Sequence, residues 1–162
     1  MRKLTIRFVA LLLFIFPFHC IHGEEQPPMH VHFIDVGQGD SMLIQTPANK
    51  NILIDGGTPK AGKKVVDYLA HLNIKELDLV IATHPDIDHI GGLPHIMKSM
   101  KVNKIIDSGK FYTTKTYFKY LNQIKQDKIP IETATKGEHI HIDPSLKIKV
   151  LNTYEHRKNN NQ

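Results

Sequence analysis

The chain has 162 residues, 41% hydrophobic and 23% charged, a composition that suits one folded domain and excludes an intrinsically disordered chain. Its single cysteine, Cys20, excludes an internal disulfide framework and any cysteine-rich zinc module. The net charge of +5, from 21 Lys plus Arg against 16 Asp plus Glu, hints at an acidic partner, although the first residues of the chain inflate it.

Residues 1–23 have the plan of a secretory signal. Arg2, Lys3 and Arg7 stand without an acid, Phe8 to Phe18 form an apolar run interrupted only by Pro17, and Gly23 ends a short polar stretch suited to cleavage. The run is shorter than the roughly 20 residues that span a bilayer. The context of Cys20 matches a lipidation site poorly. Export with cleavage would remove three basic residues and Cys20, leaving 18 Lys plus Arg against 16 Asp plus Glu, a net of +2, and no cysteine. A cysteine-free mature chain suits an oxidising compartment, secreted or in the cell envelope. Residues 24–28 read as a polar spacer, 29–151 as the folded domain and 152–162 as a polar tail.

Within the domain, Val31 to Asp35 and Met42 to Thr46 read as strands joined by a turn at Gly37 and Gly39. Asn51 to Asp55 is a third strand, reached through a hairpin turn at Pro47 to Lys50 and ending at Gly56-Gly57. Lys63 to Leu72 has helical apolar spacing. Leu77 to Ala82 is a nearly continuous apolar run, as in a strand buried on both faces, and Thr83 to His89 is then a loop at its C-terminal end. Gly91 to Met100 and Thr113 to Lys125 read as helices, Lys104 to Asp107 as a short strand, and Ile131 to Leu151 as two or three strands. Strands, then alternating strand and helix, then strands again make an α/β layered plan. Active groups in such folds sit at the C-terminal ends of strands, which is where 83–89 falls.

Thr83-His84-Pro85-Asp86-Ile87-Asp88-His89 holds two histidines and two aspartates after a buried strand. Imidazole and carboxylate ligate divalent metals. In an extended segment alternate side chains share a side, so His84, Asp86 and Asp88 would converge, with His89 entering from the next helix. Four ligands from so short a segment are better divided between two metals, and zinc, manganese or iron would suit them. A solvated loop in which Asp86 and Asp88 cap the following helix is the plain alternative, although capping does not call for histidines.

The segment from His84 to Gly92 resembles the signature of metallo-β-lactamase-fold hydrolases, with Asp86 where the usual His-x-His-x-Asp-His form has its second histidine. That substitution resembles the branch found in the exported hydrolase domain of ComEC-type DNA-uptake proteins. His32 to Ser41 resembles the opening strand and turn of that branch, and Leu53-Ile54-Asp55-Gly56-Gly57 its next strand end. The resemblance covers about Met29 to Leu151. It implies an αββα sandwich of the α/β (α+β) class, of which this chain carries the first half only. It also implies one metal on His84 and Asp86, a second on Asp88 and His89, and Asp55 orienting the loop from behind the ligands. Asp88 would be the catalytic residue, orienting the attacking water or taking its proton. The branch's later Gly-Asp and His-His-Gly-Ser segments, which supply further ligands, do not occur here. A catalytically inactive truncated metal-binding fragment is therefore one competing reading. His139 and His141, two apart on one strand face, are better read as exposed than as substitute ligands.

Lys98 to Lys128 contains eight lysines against Asp107 and Asp127, with Phe111, Tyr112, Tyr117, Phe118 and Tyr120 interleaved. Basic groups draw phosphates and aromatic rings stack bases, so the substrate expected is a phosphodiester, with nucleic acid as a partner to be tested. An amphipathic helix with a solvated lysine face and its aromatics in the core explains the same pattern without a ligand. A non-enzymatic basic binding module is the third reading of the chain.

Overall fold

A computed structural model describes residues 27–153. The expected signal, most of the spacer and nearly all of the polar tail lie outside these residues. Among the described residues no helix is long and apolar enough to cross a membrane.

Six strands form the main sheet: β1 (His30–Phe33), β2 (Met42–Gln45), β3 (Asn51–Ile54), β5 (Leu79–Ala82), β7 (Ile105–Asp107) and β8 (Ile131–Thr133), in the order β1-β2-β3-β5-β7-β8. The first three are antiparallel. Met42 pairs with Phe33 on one side and Ile54 on the other. From β3 onward the pairing is parallel, with Ile54 opposite Ile81 and Ala82 opposite Asp107. The parallel strands therefore end along one edge, and the loops that leave them lie side by side. Leu53, Val80 and Ile105 on one face, none more than 1% exposed, pack against Val65 and Leu69 of α1 (Gly62–His71), Ile96 of α3 (Leu93–Ser99) and Tyr120 of α4 (Lys115–Asp127). The opposite face has a smaller core of Ile52, Leu79 and Ile106, against which Ile140 and Ile148 pack from the hairpin of β9 (His139–Ile140) and β10 (Ile148–Lys149).

Several boundaries differ from those expected, each for a local reason. The run from Leu77 to Ala82 is not one strand. At Asp78 the backbone N–H donates to the Asn51 carbonyl, while the side chain accepts from the Asn51 N–H and the Lys50 ammonium. The break leaves β4 (Glu76–Leu77) to pair with β6 (Lys101–Val102) in a separate two-stranded sheet. The loop expected through His89 instead ends in a single helical turn, α2 (Ile87–Ile90). The next helix starts at Leu93, not Gly91, because the Gly92 N–H is engaged by the Gly57 carbonyl. The last helix starts at Lys115, where Thr114 accepts the Tyr117 N–H as a side-chain cap. The C-terminal stretch does form three short strands, divided between the main sheet and the hairpin.

Candidate metal centre

The centre is assembled where β3 and β5 end side by side. After β3, Asp55 turns into the left-handed region at φ 57°, a conformation aspartate tolerates better than most residues. Its carboxylate is 2% exposed. It accepts three hydrogen bonds: from the Thr83 N–H (2.9 Å), from the Thr83 hydroxyl, and from His89 Nδ1 (2.8 Å). A buried carboxylate with three donors is well satisfied, and here they all come from the motif segment.

These bonds fix the two histidines chemically. Because the Thr83 hydroxyl donates its one proton to Asp55, it can only accept from His84 Nδ1, 3.0 Å away. His89 Nδ1 donates to Asp55 directly. Hydrogen-bond logic thus assigns both rings the Nδ1–H tautomer and leaves both Nε2 lone pairs for another partner. Metal-binding histidines are held in this way, by a carboxylate or its relay behind the ring. The two rings lie with centroids 3.7 Å apart. His84 Nε2 is also 3.4 Å from Asp86 Oδ2.

Among the described residues, the group whose donor atoms all fall within 4.8 Å of one another is Asp55, His84 and His89. Two imidazoles with Nε2 left free, and a carboxylate fixing them from behind, fit a divalent metal in donor chemistry. Asp86 sits at the N-cap position of α2 with extended backbone (ψ 151°), but its side chain makes no cap hydrogen bond and stands beside His84 instead. Asp88 is half-buried on the α2 turn; it does not join the three-residue group. So the expected convergence of alternate side chains joins His84 to Asp86, while the turn at Ile87 swings His89 toward Asp55. His139 and His141 are exposed.

The opening turn packs directly on the motif. The Asp40 N–H donates to the Asp88 carbonyl at 3.3 Å, the Gly57 N–H to the Asp40 carbonyl and the Gly56 N–H to the His89 carbonyl. Gly39 has φ 100°, and a Cβ there would run into the Asp88 carbonyl. Asp35 caps its own turn, accepting from the Gly37 N–H at 3.0 Å. Asp40 acts mainly through its backbone, with its exposed carboxylate 3.9 Å from His89 Nδ1.

In front of His84 lies a cavity of about 550 Å³, with Ile81, Ile106 and Ile148 on its apolar side and Asp107, Ser108 and Lys149 on its polar side. Burial pushes the Asp107 carboxyl above its ordinary range, opposed by the Gly109 amide. Sequence reasoning missed Asp107 as a site-lining residue and Thr83 as the relay. The available signals were their places at the ends of neighbouring parallel strands.

Comparison with known proteins agrees with this geometry. The family model of the metallo-beta-lactamase superfamily matches residues 34–155. The chain belongs to the metallo-beta-lactamase superfamily. It is 33% identical over 151 residues to ComE operon protein 3 of Bacillus subtilis, covering 83% of this chain and 19% of that protein. It is 38% identical over 123 residues to competence protein ComA of Neisseria gonorrhoeae, covering 72% of this chain and 17% of that one. The chain thus spans less than a fifth of the length of these curated relatives. A crystal structure from Thermotoga maritima, classed with the metallo-beta-lactamases, superposes with a TM-score of 0.51 at 16% identity over 70% of this chain and 62% of that one. The metallo-beta-lactamase fold of mixed α/β layers, and the kinship with competence proteins of the ComEC type, follow.

Proposed function

We propose that this metallo-beta-lactamase-fold chain is an exported, metal-dependent hydrolase of phosphodiester bonds that binds two divalent ions, zinc in the first instance. The observation that carries the reading is the buried Asp55 carboxylate, which sets both His84 and His89 with Nε2 outward. His84 and Asp86 would hold one ion, and Asp88 and His89 the other. Bound divalent ions supply a water activated near neutral pH and a positive charge beside the phosphoryl oxygens. Asp88 would orient the attacking water or take its proton. No serine or cysteine nucleophile is required. The half-buried setting of the cluster limits access of bulk water, and the cavity before His84 leaves room for the organic part of a substrate.

Phosphodiester chemistry is favoured over a β-lactam by the lysine-rich stretch at 98–128 and by the competence proteins among the relatives. Export rests on the signal-like residues 1–23, and places the protein outside the cytoplasm, secreted or in the envelope.

Hydrolysis of bis(p-nitrophenyl) phosphate at saturating metal tests the assignment. Asp88→Asn should lose about 100-fold or more in kcat, with the thermal midpoint of the metal-free protein little changed. Equal activity in Asp88→Asn at saturating metal removes Asp88 from the mechanism.

A further inference from the structure

The two faces of the main sheet are covered unequally. Toward the helices, Leu53, Val80 and Ile105 are sealed in the larger core. On the opposite face the buried apolar residues are Ile52, Leu79 and Ile106, while Ile44, Ile54, Ile81, Ile140 and Ile148 are only partly buried. The β9–β10 hairpin covers this face without closing on it at the C-terminal ends of the parallel strands. The cavity of about 550 Å³ lies there, with Ile81 and Ile106 on the sheet side and Ile140 and Ile148 on the hairpin side. Packing defects in protein cores rarely exceed a water molecule, whereas cavities that take small ligands run from about 300 to 1,000 Å³.

The cavity is continuous with the metal motif, because Thr83 and His84 form part of its lining. His84 is the residue whose Nε2 the Asp55–Thr83 relay leaves free. A phosphoryl group held at that nitrogen's metal would therefore have one ester arm beside the isoleucines. The chemistry of the wall selects the arm. Apart from the His84 imidazole, no residue lining the cavity is aromatic. A nucleobase would find no ring to stack on, and its polar edge would face isoleucine side chains without partners. An aliphatic chain loses nothing there and leaves water.

We propose that this cavity is a substrate subsite for a short aliphatic ester arm, so that the preferred substrate is an alkyl phosphodiester and not a nucleotide. The inference rests on the phosphodiester reading for the phosphate at the metal. The length dependence of the arm is a separate property, and binding alone measures it.

The test is calorimetric titration of the full chain, equilibrated with zinc, with methyl, propyl and hexyl phosphonate, which cannot be hydrolysed. Kd should fall about two- to fourfold for each added methylene, with a heat-capacity change that grows more negative along the series. Ile148→Asp, on the hairpin wall, should weaken hexyl phosphonate about 10-fold or more. Ile148→Thr keeps the β-branched shape and should show part of that loss if the aspartate variant folds poorly. Hydrolysis of p-nitrophenyl hexyl phosphate should exceed that of p-nitrophenyl methyl phosphate in kcat/KM by the same factor per methylene. Hydrolysis of neither ester, with length-dependent phosphonate binding intact, would sink the hydrolase reading and uphold the subsite. No binding of hexyl phosphonate, affinity independent of chain length, or tighter binding of thymidine 5′-phosphate than of hexyl phosphonate would overturn the proposal.

Discussion

Asp55 is the residue on which the centre depends. It touches the loop through three donors and spends no charge on a cationic side chain, so its role is to set Thr83, His84 and His89. Asparagine is the informative replacement, because it also tolerates the left-handed backbone. Its carbonyl can keep the Thr83 N–H, but its NH₂ then faces the Thr83 hydroxyl and the His89 N–H, donor against donor. Asp55→Asn should cost the metal-free protein about 2 kcal/mol and weaken divalent-metal binding about 10- to 100-fold. Thermal unfolding in chelator and calorimetric titration with zinc check the two numbers separately. Unchanged metal affinity would mean that the histidines are oriented by something else.

At the scale of elements, the motif loop is held from below by α2 and from the side by the 34–41 turn. The two glycines of that turn are not equivalent. Gly37, at φ 75°, has open space where a Cβ would be, whereas Gly39 abuts the Asp88 carbonyl. Gly37→Ala should therefore cost about 1 kcal/mol, from backbone conformation alone. Gly39→Ala should cost about 3 kcal/mol, adding a steric clash, and should also lower metal affinity. Chemical denaturation of the pair distinguishes the contributions.

The β9–β10 hairpin is tied down by Asp143, which accepts from the Ala48 N–H at 2.8 Å and from the N–H and hydroxyl of Ser145. These bonds, the Ser145 hydroxyl foremost, hold the Asp143 carboxyl well below the usual carboxylate range. A depressed folded-state pKa contributes stability above the unfolded value of about 3.9, and that contribution is lost as pH falls through it toward the folded value. The thermal midpoint should thus drop as pH falls below about 5, and drop less in Asp143→Asn. A variant with the same acid profile as the parent would exclude Asp143 from the acid response.

Much of this scale was legible beforehand. The apolar run at 77–82, the Gly-punctuated turns and the helical spacing at 63–72 and 113–125 reflect periodicity and backbone freedom, which are local. The break at Asp78 was not legible, because it depends on bonds to Lys50 and Asn51 across the sheet. The metal-type residues His84, Asp86 and His89 stood out by type and spacing. The relay through Thr83 did not, because it requires Asp55, 28 positions away in sequence, to be left-handed and buried.

For the whole molecule, only part of the basic charge is matched: Lys50, Lys63, Lys64, Lys101 and Lys104 pair with carboxylates, whereas Lys98 and Lys119, among other lysines, form no ion pair among the described residues. The parallel order β3-β5-β7-β8 puts Asp55, His84 and Asp107 along a common edge, with the cavity beside them. Family membership and geometry together make divalent-metal binding the central claim. Its most direct test is the metal content of the purified chain after equilibration with zinc and gel filtration, read by elemental analysis beside a variant with both His84→Ala and His89→Ala. The account predicts two ions per chain in the parent and their loss in the variant; a parent that retains none would contradict it.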